Sequence, residues 1–393
     1  MSSCTPAVVL IRRCPGLACV PAVGGKEARG ENGKSMVQSA AMRWARDAGL
    51  KYAYALTILT VILWTTGPVG SKAALLAVRD GDKLTPMQVA FWAIGVGWAA
   101  LFGLLLARRR LGRLREVSPR GWLVMAGMGL FGWVGYPVGM NFAYSRLPLP
   151  DAMVISNLSP VFVTLLQAAV FGNLVRTVSG WEQAPERQGQ MHVARVAAGL
   201  VLCLLGVGFI ATGGRAASLG GIRSAEGAAA AVFAAFSWGV YSNLGRFVAM
   251  RAGASARGMG DVQNFGAMAC GLAAMGVTLG VSGQLRPPLG YETGLYLGGV
   301  GPAMVATWGV IAVMGVFNYC LGYPLWLHSL ELGHRLGEAH KLPPLTYLLL
   351  VTAIACGWLV LREAPGPGFW QGAVLIAAGN VVNLWPSRRE VGP

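Results

Sequence analysis

The stretch Gly322–Pro344, GYPLWLHSLELGHRLGEAHKLPP, sets two Glu, three of the chain's four His, an Arg and a Lys between apolar runs. Taken alone it reads as a metal site, a catalytic site or a polar turn between two buried helices. An earlier stretch decides among these: GYPVGMNFAYSRLPLPDAMVISNLSP, at Gly135–Pro160. Both begin Gly-Tyr-Pro, and four residues after each Pro stands a polar side chain, Asn141 or His328. Other pairs follow in the same order. Trp64 has Lys72 eight residues on, and Trp238 has Arg246 at the same spacing. NLSPVF is matched by KLPPLT. Gly199 and Gly206 bracket LVLCLL, as Gly372 and Gly379 bracket AVLIAA. Each match is weak, but their shared order at separations of 173 to 187 residues marks an internal duplication.

The repeated unit is a membrane one. The 393-residue chain is 54% hydrophobic and 12% charged, half the share of charge in soluble domains. A net charge of +16 raises the possibility of nucleic acid, but the Lys and Arg stand in short clusters between apolar runs and form no basic face. A lipid bilayer is therefore the expected partner, and nucleic acid is not. About 20 helical residues cross the hydrocarbon core. On that rule ten spans are expected near 52–76, 86–106, 121–144, 150–174, 194–213, 227–249, 262–282, 302–327, 342–361 and 368–386.

Basic residues orient the spans. With the N-terminus inside, the outer connections hold Arg79, Lys83, Arg146, Arg215, Arg223, Arg286 and Arg362, and Lys72 stands near the outer end of the first span. The remaining 24 of 32 Lys and Arg fall inside. Both termini are thus expected in the cytoplasm, in an inner or plasma membrane. Residues 1–50 read as a disordered tail, with Met36 and Met42 as alternative starts. The seven Cys form no CxxC pair or zinc spacing and read as free thiols.

Five spans per copy is an odd number, so the second copy enters the membrane from the opposite side. The expected fold is all-α: ten transmembrane helices as two inverted five-helix repeats, 51–213 and 227–386, joined by a linker at 214–226 and followed by a tail at 387–393. Inverted repeats build secondary transporters with a site near the midplane. Exchanging the conformations of the two halves turns an inward-open shape outward.

The Trp in the first span of each half (VILWTTGPVGSK and AAFSWGVYSNLGR), the Pro in the fourth (SNLSPVF and HKLPPLT) and the closing LVLREAPGPGFWQGAVLIAAGN resemble the drug/metabolite transporter superfamily, nearest its EamA-type carriers. The first half departs from that closing pattern: about 11 extra residues separate spans 4 and 5, with no clear counterpart of Glu363. The resemblance implies a small-molecule substrate, with amino acids as the leading guess, and a central cavity lined by spans 1, 3, 4, 6, 8 and 9.

The candidates facing such a cavity are Trp64, Tyr136, Asn141, Asn157, Trp238, Tyr241, Asn243, Tyr323, His328 and Lys341. An unpaired polar group in hydrocarbon costs several kcal/mol, so these should face the interior or water. The competing reading for the amides is glue between helices. Pro137, Pro160, Pro324 and Pro344 read as hinges or as static kinks. Lys72 and Arg246 read as snorkelling cations or as gating contacts. GMGLFG, 127–132, matches a nucleotide-binding pattern but lies inside a span, where small residues serve close packing.

The three His of the opening stretch step by six residues and spread around a helix, a poor chelating face. Gly333 and Gly337 would supply a solvated turn, with a helix starting near Arg335. His328 lies inside span 8, and an imidazole with an ordinary pKa near 6.5 can carry a coupling proton. No enzyme signature occurs, and no catalytic, metal or cofactor site is expected. A cation route through His328, Glu331 and His334 is the alternative, a non-transporting scaffold a third, and a homodimer is left open.

Overall fold

The computed structural model describes residues 31–76, 84–166, 193–214, 225–252, 260–285, 302–335, 342, 345–346 and 348–384. The chain falls into two units, Met1–Ala48 and Gly49–Pro393. No strand occurs among the described residues.

The helices are α1 (Glu31–Leu76), α2 (Pro86–Ala107), α3 (Pro119–Met128), α4 (Tyr136–Arg146), α5 (Leu149–Ser156), α6 (Ser159–Leu166), α7 (Val193–Thr212), α8 (Ala225–Ala252), α9 (Gly260–Val281), α10 (Pro302–Val313), α11 (Tyr323–Arg335), α12 (Leu348–Leu361) and α13 (Phe369–Leu384). Two π-helical segments, Gly129–Gly135 and Met314–Gly322, weld α3 to α4 and α10 to α11. Five stretches are long and apolar enough to cross a membrane: Asp47–Leu76, Pro86–Ala107, Pro119–Arg146, Gly260–Val281 and Thr307–Ser329. Shorter apolar helices fill Leu149–Val163, Ala198–Ile210, Leu348–Leu361 and Phe369–Val382. The outer surface suits lipid: Leu123, Val281, Trp358 and Leu359 are each at least 65% exposed. A protein in water would bury such a set.

Several boundaries differ from the sequence expectation. The first helix begins at Glu31, inside the expected disordered tail; MVQSAAMRWAR is rich in good helix formers. The fourth span breaks at Asn157–Leu158 and restarts at Ser159, with Pro160 in the first turn, where its missing N–H costs nothing. In the opening stretch no helix starts near Arg335, because the described helix already runs unbroken from Tyr323 to Arg335. α11 runs through Gly333, since a lone Gly weakens a helix without ending it.

Each Gly-Tyr-Pro sits at the end of a π segment, for a chemical reason. Pro137 has no N–H for the carbonyl four residues back, and Pro324 has the same defect. The turn ahead widens instead, and the Tyr136 N–H reaches back five residues to the Phe131 carbonyl. Such π bulges concentrate at functional sites.

The duplication is visible in packing. A Cβ built on Gly206 would stand 2.6 Å from the Gly372 carbonyl oxygen, and one on Gly379 would stand 2.5 Å from the Gly199 oxygen. So α7 and α13 run antiparallel through the two matched glycine pairs, each glycine meeting the counterpart of its helix-mate. This is the self-complementary contact that a two-fold relation produces. A second contact is also made twice. Gly97 of α2 packs on Gly315 and Tyr319; Gly271 of α9 packs on Gly129 and Trp133. Gly127, Gly129 and Gly132 of GMGLFG all meet neighbouring helices, as the packing reading expected.

Candidate functional site

Eight aromatic rings meet where the two halves face each other. Trp238 of α8 lies 5.0 Å from Tyr136, 5.3 Å from Tyr241, 6.2 Å from Tyr323 and 6.4 Å from Trp64, centroid to centroid. Tyr323 lies 5.3 Å from Trp64 and 4.8 Å from Trp133. Tyr319 and Trp326 complete the group, at 5.6 Å from Trp133 and 5.7 Å from Trp64. The tilted and edge-on geometries are those that ring quadrupoles prefer.

Five of the expected residues therefore come together: Trp64, Tyr136, Trp238, Tyr241 and Tyr323. Trp133, Tyr319 and Trp326 were not anticipated. Trp133 stands three residues before Tyr136 and Tyr319 four before Tyr323, so the Gly-Tyr-Pro register sets Trp133 against Cys320 and Tyr319 against Gly132 and does not reveal them.

The two π segments and the residues directly after them supply Trp133, Tyr136, Tyr319 and Tyr323. Gly322 leaves room for the Trp64 indole: a Cβ there would stand 2.7 Å from Nε1. Gly135 leaves room for Ser237, whose Oγ would stand 2.7 Å from such a Cβ. Trp64 Nε1, Trp133 Nε1, Ser237 Oγ and Asn264 Nδ2 are buried and have no hydrogen-bond partner among the described residues. The Tyr241 hydroxyl donates to Asn264 Oδ1 at 2.7 Å.

The amides stand elsewhere. Asn141 Nδ2 donates to the Pro86 carbonyl at 3.0 Å, tying α4 to the start of α2. Asn157 donates to the Met153 carbonyl in its own helix, and its carbonyl receives Asn380 Nδ2. Asn243 bridges to the Val163 carbonyl. His328 is exposed and outside the ring cluster. Pro137 is buried and Pro324 half-buried, each directly after a π segment. Lys341 and Pro344, and the side chains of Glu331, His334 and Arg246, lie outside the described residues. No group of three His, Cys, Asp or Glu able to hold a metal ion occurs among the described residues.

Lys72 does not snorkel. Its Nζ is buried, 3.0 Å from Glu363 Oε1, and donates to the Tyr144 and Leu147 carbonyls at 2.6 and 2.9 Å. The cation thus sits at the C-terminal end of α4, where the helix dipole favours it. Glu363 Oε2 accepts the Leu149 N–H at the start of α5, where the dipole favours an anion. Asp151, two residues further, accepts the Gly366 N–H at 3.0 Å. These groups bind the turn between α4 and α5 to the turn between α12 and α13. A second pair, Arg110–Asp261 at 2.7 Å, ties the segment after α2 to the start of α9.

Lipid-facing helices, paired glycine contacts made twice and a buried aromatic cluster between the copies define a multi-pass membrane protein built from two repeats. The chain belongs to the EamA-like transporter family, whose model matches residues 51–179 and again 225–385, once per half. Membership makes it a transporter of small molecules in a lipid bilayer, within the drug/metabolite transporter superfamily. No curated protein matches the chain. A solved structure, "Crystal structure of protein", is similar at 22% identity with a TM-score of 0.49, over 86% of this chain and 98% of that one.

Proposed function

We propose that the chain is a secondary transporter, not an enzyme, whose ten spans form two inverted five-helix repeats, 51–213 and 227–386. It moves a small polar metabolite, exporting amino acids or related compounds, by alternating access across an inner or plasma membrane. Both termini are cytoplasmic. The aromatic cluster carries this reading. It joins Trp64, Tyr136 and Trp133 of one repeat to Trp238, Tyr241, Tyr319 and Tyr323 of the other, and the two helices that bring Trp133, Tyr136, Tyr319 and Tyr323 carry π segments that supply points of flexure. Repeat-matched residues meeting on the axis between copies is where an inverted-repeat carrier holds its solute.

The cation route through His328, Glu331 and His334 has less support, because His328 is exposed and apart from the rings. Counterflow in proteoliposomes with a panel of metabolites tests the proposal. Accumulation of a labelled solute driven by the same solute trapped inside, lost in Trp238→Ala, is expected. If no solute exchanges, the transport reading fails.

A further inference from the structure

We propose that the aromatic site takes its solute by a hydrogen-bond acceptor, a carboxylate or carboxamide oxygen on an apolar body, and not by a cationic group. This rests on the reading of the cluster as the solute site.

The unmet hydrogen-bonding capacity there leans one way. Indole N–H groups only donate. Trp64 Nε1 and Trp133 Nε1 both lack partners among the described residues, both residues are at least 93% buried, and both flank the Tyr323 ring at 5.3 and 4.8 Å. Asn264 adds an unmet N–H, its oxygen already holding the Tyr241 hydroxyl. Ser237 adds a hydroxyl able to donate. A buried donor without a partner is expensive, and one retained in a folded protein calls for an explanation. Two donor-only groups beside one ring call for a hydrogen-bond acceptor.

Negative charge, by contrast, is already engaged among the described residues. The buried or half-buried carboxylates among the described residues are Asp151, Asp261 and Glu363. Asp151 holds the Gly366 N–H, Asp261 holds Arg110, and Glu363 holds Lys72 and the Leu149 N–H. Among the described residues a cationic solute would meet ring faces and no free carboxylate to replace its water. A carboxylate or amide oxygen would meet N–H groups that have no other partner.

Isothermal titration of the purified full chain with three probes of one shape tests this: benzoate, benzamide and benzylamine. Saturable binding of benzoate or benzamide is expected, with benzylamine at least roughly tenfold weaker. Trp64→Phe and Trp133→Phe keep a ring and remove the N–H; each should weaken the acceptor probe by about tenfold, one hydrogen bond's worth. Trp98→Phe is the control, since its unpartnered indole stacks on Phe265 and Phe102 outside the cluster. The proposal is overturned if benzylamine binds as well as the acceptors, if neither acceptor binds, or if both Phe variants match Trp98→Phe. Counterflow of cationic solutes alone would overturn it and leave the transport reading intact. Acceptor binding without any counterflow would do the reverse.

Discussion

Replacing Gly206 with Ala should loosen the α7–α13 pair, and the structure sets the size of the effect. The new methyl carbon would lie 2.6 Å from the Gly372 carbonyl oxygen and 2.7 Å from Ile376 Cγ1. Ordinary contacts between such atoms sit at roughly 3.5 Å, so the helices must part by about 0.9 Å. A gap of that size forfeits roughly a quarter to a half of the dispersion energy across the contact. Overpacking of this kind costs about 1–3 kcal/mol. Gly379→Ala meets the Gly199 oxygen at 2.5 Å and should cost the same, because the two positions are copies. Gly208, on the same helix, has nothing within 4 Å of its built Cβ. There the change to Ala should be neutral or stabilising by up to about 1 kcal/mol from helix propensity alone. Thermal unfolding of the purified variants in one detergent reads all three. If Gly206→Ala and Gly379→Ala unfold at the same midpoint as Gly208→Ala, the glycine pairs are not the close contact described, and the two-fold relation between the copies loses its best support.

Three further outcomes are expected. Lys72→Met strands Glu363 and uncaps the Tyr144 and Leu147 carbonyls; it should destabilise by about 3 kcal/mol, the low end for a broken buried pair because Glu363 keeps some exposure and the Leu149 N–H. Arg146→Ala should shift the unfolding midpoint negligibly, since its pair with Glu226 at 3.4 Å is largely in the open. Tyr241→Phe leaves Asn264 with neither oxygen nor nitrogen bonded and should cost about 1–3 kcal/mol, measured by the same unfolding assay.

The duplicated Gly-Tyr-Pro was readable in the sequence because Gly and Pro act locally and leave fixed spacings. Its consequence, a π segment ahead of each Pro, was not, since nothing in the residue types says whether a proline defect kinks a helix or widens the turn before it. The matched glycines were visible as a pattern. Their meeting across an antiparallel pair shows only in the fold. Trp64, Tyr136, Trp238, Tyr241 and Tyr323 were found as aromatics on the right spans. Trp133 and Tyr319 were passed over because an aromatic on an apolar span looks like any lipid-facing or core residue, and the Gly-Tyr-Pro register sets them against Cys320 and Gly132 rather than against each other. The Lys72–Glu363 pair joins residues 291 positions apart, and no periodicity reports a contact of that range. Asn141 and Asn243 bond to backbone carbonyls of neighbouring helices, an outcome residue type alone could not separate from lining a cavity.

Alternating access between two inverted repeats makes one demand on the aromatic site: it must open to each face of the membrane in turn. Tyr136→Cys in a chain with the seven native Cys replaced, reconstituted in vesicles of known orientation, places a single thiol there. A membrane-impermeant maleimide should label it from the outside and, when trapped within, from the inside, and a transported solute should slow both reactions. Labelling from one face only, or from neither, would contradict the account.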